Sequence, residues 1–297
     1  MQPIIWHLRD RVLEIGRRPL IMGIVNVTPD SFSDGGRYFD RAAAIEHALA
    51  LAAEGADILD IGGESTRPGA QDIPVEEELR RTIPVIEALA QRVSIPIAID
   101  TSKPEVMRAA IEAGAGMIND VYALRREGAL DAAAALGVPV VLMHMRGEPR
   151  TMQDAPDYDE VVGEVHRFLA ERIFAAEMAG IAKKNIVVDP GFGFGKTAQH
   201  NLQLLAQLRR FTELGVPVLA GLSRKRTIGE LTGRDDPRER VFGSVAAHLI
   251  AAQNGATILR VHDVAGTVDA LKVWNAVASV PQPRTDAGQS AIVWPDV

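Results

Sequence analysis

Short apolar runs separated by longer amphipathic segments dominate this sequence of 297 residues. Eight runs fall between residues 20 and 280, one for about every 33 residues, which is close to the length of a strand–helix–strand unit. Runs such as PIAID and VPVVLM are apolar throughout, as in parallel strands that are covered on both faces. The predicted strands are residues 20–27, 57–61, 96–100, 117–119, 138–143, 186–189, 216–220 and 258–261.

The segments between these runs have the periodicity of amphipathic helices. Val161, Val165, Leu169 and Ile173 recur on one helical face, with charged residues opposite. Four segments end in a glycine just before the next run, in AAEGAD, IEAGAG, AALGVP and AEMAG, a position that suits a left-handed helix cap. These helices are expected to pack on the outside of the sheet.

Alternating strands and helices of this number are best explained by a closed (β/α)8 barrel, the TIM barrel of the α/β class, with a doubly wound open sheet as the alternative. We predict a single barrel domain over residues 20–280. Residues 1–19 are predicted to be a short lead-in segment. Residues 281–297 are rich in proline and polar residues, which predicts a loosely ordered tail.

Composition argues against several classes of protein. The net charge is −7, and the basic residues are spread along the chain, which disfavours binding to nucleic acid. The absence of cysteine excludes disulfides, thiolate metal sites and a cysteine nucleophile, so that any metal must use oxygen or nitrogen ligands. No apolar stretch is long enough to span a membrane, and the first residues lack the pattern of a secretory signal. A cytoplasmic protein is therefore expected.

Polar side chains occupy the carboxyl ends of the predicted strands, where barrels of this class build their sites. A single Asp or Asn there is more often a turn or helix cap than a ligand contact, and Asp60 could point elsewhere. Burying a carboxylate is energetically unfavourable unless it is paired. Several carboxylates and amides that face cations at one end of the barrel therefore predict a ligand with N–H donors at one end and negative charge at the other. The strand-end residues are Asn26, Asp60, Asp100, Asn119, Met143, His144, Asp189, Ser223, Arg224, Lys225, Arg260 and His262.

The segment GFGFGKT, at residues 191–197, partly matches a phosphate-binding loop. A Walker A motif requires glycine where Pro190 stands, so a nucleotide site is not supported. The glycines are interpreted as letting the backbone approach a flat ligand, with Phe192 and Phe194 as apolar walls. The alternative is a sharp loop whose aromatic residues belong to the core.

Eight segments in order resemble the bacterial dihydropteroate synthase family: GIVNVTPDSFSDGG, IGGESTRPG, IDTSKP, MIND, MHMRGEP, VVDPGFGFGK, LSRK and RVHDV. They cover most of the chain, and NVTPDSFSDGG together with DPGFGFGK is highly specific. The resemblance implies a homodimeric (β/α)8 barrel that acts in folate biosynthesis. It also implies condensation of 6-hydroxymethyl-7,8-dihydropterin pyrophosphate with p-aminobenzoate to 7,8-dihydropteroate and pyrophosphate, with Mg²⁺ as cofactor.

The resemblance also assigns roles to individual residues. The pterin is expected to contact Asp100, Asn119, Met143, Asp189, Lys225 and Arg260. The pyrophosphate is expected to contact Asn26, Arg260 and His262, with Asn26 also a ligand of Mg²⁺. The p-aminobenzoate pocket is expected to contain Phe32, Thr66, Arg67, Pro68, Phe194, Ser223 and Lys225. Asn26, Asp100, Lys225, Arg260 and His262 are the implied catalytic residues. Residues 28–36 and 64–69 are expected to be closing loops, and sulfonamides are expected to compete with p-aminobenzoate.

We expect substitution at the pterin methylene without a covalent enzyme intermediate, because the sequence has no cysteine and no nucleophile with an evident base partner. Two other functions are compatible with a pterin-binding barrel. One is a paralogue that binds pterin without catalysis, and the other is the methyltetrahydrofolate-binding domain of a corrinoid methyltransferase. The intact segments NVTPDSFSDGG and STRPG favour the synthase over both.

Overall fold

A computed structural model of the protein describes residues 4–8, 11–16, 18–28, 37–66, 69–148, 151–152 and 156–280. Within these ranges, eight parallel strands form one sheet in the order β8-β7-β6-β5-β4-β3-β10-β9. A parallel bridge between Val188 and Val218 joins the two ends of the sheet. The predicted (β/α)8 TIM barrel is confirmed. Its strands are β3 (Leu20–Asn26), β4 (Ile58–Gly62), β5 (Ile97–Asp100), β6 (Met117–Asp120), β7 (Val140–Met143), β8 (Ile186–Asp189), β9 (Leu219–Ala220) and β10 (Ile258–Val261).

Helices follow the barrel strands and cover the outside of the sheet. On α5 (Val161–Met178), the residues Val161, Val165, Leu169 and Ile173 are all buried, as their spacing predicts. The four glycines predicted to end helices, at positions 55, 114, 137 and 180, all have positive φ. In the described part of the chain, no helix is long and apolar enough to cross a membrane. The α-helices are α1 (Arg37–Glu54), α2 (Val75–Ala90), α3 (Pro104–Ala113), α4 (Ala129–Leu136), α5 (Val161–Met178), α6 (Ala198–Ala206), α7 (Arg226–Thr232), α8 (Val241–Gln253) and α9 (Val264–Ala278).

The seventh barrel strand is shorter than predicted. β9 contains only Leu219 and Ala220, whereas the apolar run begins at Val216. Pro217 has no N–H to donate, although its carbonyl accepts a hydrogen bond from the Val188 N–H at 3.0 Å. The Val218 N–H is bound by the side chain of Thr257 at 3.0 Å instead of by a strand. Regular pairing therefore starts only after Val218.

The first residues form a hairpin that the sequence analysis did not predict. β1 (Ile4–Leu8) and β2 (Arg11–Ile15) pair antiparallel, outside the barrel sheet. Trp6 is 1% exposed and belongs to a cluster with residues from the strand starts, including Met22 and Ile58. Its indole N–H donates to the carbonyl of Lys184 at 2.7 Å. The hairpin thus closes the amino-terminal end of the barrel, which leaves the carboxyl end for the site.

Candidate active site

Arg260, at the end of β10, joins two carboxylates across the carboxyl end of the barrel. Its Nε lies 2.6 Å from Asp60 Oδ2, and a terminal guanidinium nitrogen lies 2.6 Å from Asp100 Oδ2. Asp60 is fully buried on β4, and Asp100 ends β5. These two ion pairs fix the plane of the guanidinium at the barrel mouth.

Asn119, on β6, extends this network to a neighbouring strand. Its amide nitrogen donates to Asp60 Oδ2 at 3.1 Å, so its carbonyl oxygen is turned away from Asp60 and can accept a hydrogen bond from a ligand. Among the described residues, Asp60 Oδ1 is buried without a hydrogen-bond partner. A ligand that supplies N–H groups here would therefore satisfy acceptors that are costly to leave unpaired.

Asp189 and Lys225 lie on the other side of the mouth. Asp189, at the end of β8, accepts a hydrogen bond on Oδ1 from the Gly191 N–H at 2.7 Å, which leaves its second oxygen for a ligand. The Lys225 ammonium, at the start of α7, donates to the carbonyl of Phe192 and lies 4.7 Å from the centre of the Phe194 ring. The turn that follows β8 therefore contacts both an acceptor, Asp189, and a cation, Lys225.

Burial shifts the ionisation of these groups. It raises the pKa of Asp100 to about 8, against the attraction of Arg260 and helped by the negative charge of Asp60. Burial also raises the pKa of Asp189, although Lys225 acts in the opposite direction. The pKa of Lys225 is lowered by burial to about 8, despite the charge of Asp189. Perturbed groups of both signs at one barrel end are typical of a functional site.

Ser223 and His262 contact each other at the ends of β9 and β10. Ser223 Oγ accepts a hydrogen bond from the His262 N–H at 3.1 Å and lies 2.9 Å from Nδ1 of the same residue. His248 supports this corner from α8, because its Nε2 accepts from the Leu222 N–H at 3.2 Å and its Nδ1 donates to the Ser244 carbonyl at 2.8 Å. Burial lowers the pKa of His248 to about 4, so the ring is neutral near pH 7. These contacts give His248 a packing role.

The glycine-rich turn after β8 lies close to the backbone of the segment after β7. Its approach to a flat ligand stays a prediction. A side chain at Gly191 or Gly195 would collide with the carbonyl of His144 or Arg146, respectively. Phe192 is buried in the main core, so the interpretation of this residue as a ligand wall is wrong. Phe194 is instead half-buried in a small cluster that contains Met143. This places a soft apolar surface beside Lys225.

The remaining predicted residues are only partly described. Asn26 ends β3 beside Gly62 of β4 and is half-buried. Thr66 is also half-buried, after β4. Phe32, Arg67 and Pro68 lie outside the described residues, as do the predicted tail at 281–297 and nearly all of the first predicted loop.

Sequence reasoning left the roles of Asp60 and Lys196 at the site unassigned. Asp60 was doubted, although its position in ILDIGG carried the same strand-end signal as Asp100. Lys196 was considered only as a phosphate-loop lysine, but its buried amine lies 2.9 Å from His144 Nδ1 and from the Gly191 carbonyl, and 3.0 Å from the Phe194 carbonyl. Burial lowers the pKa of Lys196 well below its ordinary value and that of His144 to about 2. The two side chains therefore tie the turn after β8 to the end of β7.

The hydrogen-bond acceptors and the cations at the barrel mouth suit an anionic ligand with a polar ring. In the residues that the structure covers, no group of three or more His, Asp or Glu side chains could hold a metal ion. A divalent cation here would depend on ligand and water oxygens, with few protein ligands, as Mg²⁺ commonly does.

Comparison with known proteins agrees with this chemistry. A family model described as "Pterin binding enzyme" matches residues 22–262. The dihydropteroate synthase of Escherichia coli (strain K12) is 53% identical over 266 residues, which cover 90% of this chain and 94% of that protein. A structure of Xanthomonas albilineans dihydropteroate synthase with 4-aminobenzoic acid is 67% identical, with a TM-score of 0.90, and covers 94% of this chain and 100% of that one.

A Yersinia pestis dihydropteroate synthase structure with a sulfonamide drug is 48% identical, with a TM-score of 0.89 and coverage of 93% of this chain and 100% of that one. The barrel, its polar mouth and these matches over nearly the full length of several enzymes lead to one assignment. The chain belongs to the pterin binding enzyme family, among the dihydropteroate synthases.

Proposed function

We propose that this protein condenses 6-hydroxymethyl-7,8-dihydropterin pyrophosphate with p-aminobenzoate to form 7,8-dihydropteroate and pyrophosphate in folate biosynthesis. The observation that carries the proposal is the convergence of three acceptors with two cations at the carboxyl end of one barrel: Asp100, Asn119, Asp189, Lys225 and Arg260. The relatives that share nearly the whole chain bear the name of this activity.

The pterin ring presents N–H and amino donors, which match the oxygens of Asp100, Asn119 and Asp189. A carboxylate paired with an aminopyrimidine edge makes two charge-assisted hydrogen bonds, each contributing about 1.5–3 kcal/mol. In the proposed complex, Lys225 donates to the ring carbonyl and ring nitrogen, Met143 contacts one face of the ring, and Arg260 stacks on the ring with its guanidinium plane.

The p-aminobenzoate site lies on the side of Phe194 and Lys225. Phe194 offers an aromatic surface next to the ammonium of Lys225, whose charge attracts a carboxylate. Ser223 and Thr66 belong to the proposed pocket, together with Phe32, Arg67 and Pro68, which lie outside the described residues. The sulfonamide in the Yersinia pestis relative supports sulfonamides as competitors at this pocket.

The diphosphate is proposed to lie beside Asn26, Arg260 and His262. The residues here fit Mg²⁺, because Asn26 can offer one amide oxygen as a ligand and oxygens of diphosphate and water would complete the coordination shell. When bound, Mg²⁺ would neutralise charge on the departing pyrophosphate. Ser223 orients the His262 ring through their contact, so that this side chain can donate to a phosphate oxygen.

The proposed reaction is a substitution in which pyrophosphate departs largely before the amine attacks. The electron-rich dihydropterin spreads the developing positive charge, and the acceptors of the mouth hold the ring in place. The aromatic amine is a competent nucleophile once it is positioned beside the methylene carbon, so no covalent enzyme intermediate is needed. A covalent enzyme–pterin adduct isolated during turnover would contradict this mechanism.

Release of pyrophosphate from the purified protein, given both substrates and Mg²⁺, tests the function directly. We expect release that requires p-aminobenzoate, and strong loss of activity in Asp100→Asn and Lys225→Ala. Tight pterin binding without pyrophosphate release would favour an inactive paralogue. Turnover that needs a corrinoid partner and ignores p-aminobenzoate would favour the methyltransferase domain.

Pterin affinity provides a second prediction. Asp189→Asn keeps the acceptor for the Gly191 N–H but removes the charge offered to the ligand, so we expect the dissociation constant for a pterin to rise about 10- to 100-fold. Calorimetry of pterin binding measures the effect. Asp131→Asn, on the exposed face of α4, is the matched control and should bind like the wild type. Equal affinity of Asp189→Asn and the wild type would remove Asp189 from the pterin site.

Assembly as a homodimer and location in the cytoplasm stay predictions.

A further inference from the structure

Three charged side chains form a compact cluster, the Lys103 cluster, between two barrel loops and a helix. Lys103 follows β5 immediately before α3, Glu64 follows β4, and Glu78 lies in the first turn of α2. The Lys103 ammonium forms an ion pair with Glu64 and lies 2.5 Å from Glu78 Oε2. The exposed fractions of the three side chains are 8% for Lys103, 14% for Glu64 and 0% for Glu78.

Burying the Lys103 cluster is energetically unfavourable if its only role is to stabilise the fold. It has one cation for two carboxylates, and, within the residues described, Glu78 Oε1 is buried without a hydrogen-bond partner. Buried ion pairs of this kind are often no more stabilising than apolar residues of similar size, because desolvation offsets the attraction. Burial lowers the pKa of Lys103, but its hydrogen bonds to Glu64 and Glu78 outweigh this and raise the value overall, so the ammonium stays charged.

The cluster holds the start of the connection between β4 and α2. The Gly63 carbonyl accepts a hydrogen bond from Arg81 of α2 at 2.8 Å. A Cβ at Gly63 would lie only 2.7 Å from Thr82 Cγ2, so the backbone there already rests against α2. Glu64 is the next residue, and its ion pair with Lys103 fixes the direction in which the chain leaves toward Thr66.

The same lysine is also tied to the pterin side of the mouth. Lys103 comes three residues after Asp100, and its N–H donates to Thr101 Oγ1 at 3.2 Å. Asp100 is itself bound to Arg260. Lys103 therefore connects the end of β5, which holds an acceptor of the pterin site, with the connection that carries Thr66.

We propose that Lys103 is a positioning residue that, through Glu64, places Thr66 for binding p-aminobenzoate. Lys103 contacts no substrate in this arrangement and acts by holding the connection at its base. The inference rests on the proposed function, since it concerns the second substrate of that reaction.

Steady-state kinetics with each substrate varied in turn test the role. In Lys103→Met we expect the KM for p-aminobenzoate to rise about tenfold or more, while the KM for the pterin substrate and kcat change less than about threefold. The inhibition constant of a sulfonamide should rise in the same proportion. Lys103→Arg should restore most of the loss, because a guanidinium can bind both carboxylates.

Glu64→Ala separates positioning from folding. It removes the tether but leaves Lys103 and Glu78 as a neutral buried pair, so the thermal midpoint should stay near that of the wild type while the KM for p-aminobenzoate rises. Arg80→Met is the control, because it breaks an exposed ion pair with Glu77 on the same helix, at 2.5 Å, and should leave both KM values unchanged.

Hydrogen exchange of residues 63–72 supplies a readout independent of activity. Faster exchange in Glu64→Ala and Lys103→Met, together with the selective rise in KM, supports the proposal. Unchanged exchange, an unchanged KM, or equal losses for both substrates would overturn it. If the wild type releases no pyrophosphate, the proposed function is wrong and positioning for p-aminobenzoate is wrong with it. In that case, hydrogen exchange tests only whether Lys103 holds the connection between β4 and α2 in place.

Discussion

Arg260→Met is expected to lower kcat/KM by about 10²- to 10³-fold, the loss typical of removing a group that stabilises developing negative charge. In the proposed reaction Arg260 faces the departing diphosphate and also holds Asp60 and Asp100 in place. Methionine retains much of the length of the side chain but none of its charge. Both the leaving group and the pterin acceptors are affected, so binding of the pterin substrate should weaken as well.

The same substitution is expected to destabilise the fold. Removing one partner of a buried ion pair leaves an uncompensated charge, which costs about 3–5 kcal/mol in the free energy of unfolding. Here Asp60 is fully buried, and Asp100 loses the cation that opposes the rise of its pKa to about 8. We therefore expect Asp100 to become protonated more readily in the variant, which moderates the loss near neutral pH.

Urea unfolding and steady-state kinetics measure the two effects separately. Arg238→Met is the matched control, because Arg238 pairs with Asp236 on an exposed surface and should change neither quantity measurably. A stable Arg260→Met protein with near-normal kcat/KM would show that the guanidinium neither serves the diphosphate nor compensates the two carboxylates.

Trp6→Ala is expected to lower the free energy of unfolding by about 3–5 kcal/mol, the usual cost of deleting a large buried aromatic side chain. Trp6 lies at the amino-terminal end of the barrel, among residues from the strand starts, and the substitution also removes the hydrogen bond to the Lys184 carbonyl. The cavity would open between the hairpin and the strand starts, where neighbouring strands limit relaxation. The loss should appear in both thermal and urea unfolding.

The activity of the folded Trp6→Ala protein should be nearly normal at low temperature, because the cluster lies at the opposite end of the barrel from Arg260 and Lys225. Val12→Ala is the control: Val12 is on the other strand of the same hairpin and is 64% exposed. A loss below about 1 kcal/mol in Trp6→Ala would mean that the hairpin does not contribute to the barrel core.

The regular part of the fold could be predicted because its signals are local. Parallel strands buried on both faces have continuous apolar runs in sequence, and all eight predicted runs overlap a strand of the barrel. The departure at β9 has a local cause as well, since Pro217 lacks an N–H. The hairpin of β1 and β2 was missed because two five-residue strands carry little periodic signal. The cluster that buries Trp6 also includes barrel residues far along the chain, which no local pattern indicates.

The candidate site was predicted in outline for a similar reason. Strand ends of a barrel converge by construction, so polar residues at those positions meet whatever their separation in sequence. The position of a residue at a strand end does not predict what its side chain contacts. Phe192 and Phe194 are two residues apart in one motif, yet one lies in the core and the other beside Lys225, because the turn alternates their directions.

The order of strands and helices, the barrel class, the family and the identity of the strand-end residues were all determined by the sequence alone, because each depends on spacing or on short motifs. Tertiary structure decided which residues contact each other: Arg260 with Asp60, 200 residues apart, Lys103 with Glu64, and Trp6 with residues at the amino-terminal end of the barrel. Such contacts depend on burial and distance between remote segments, and no local pattern encodes which buried charge meets which.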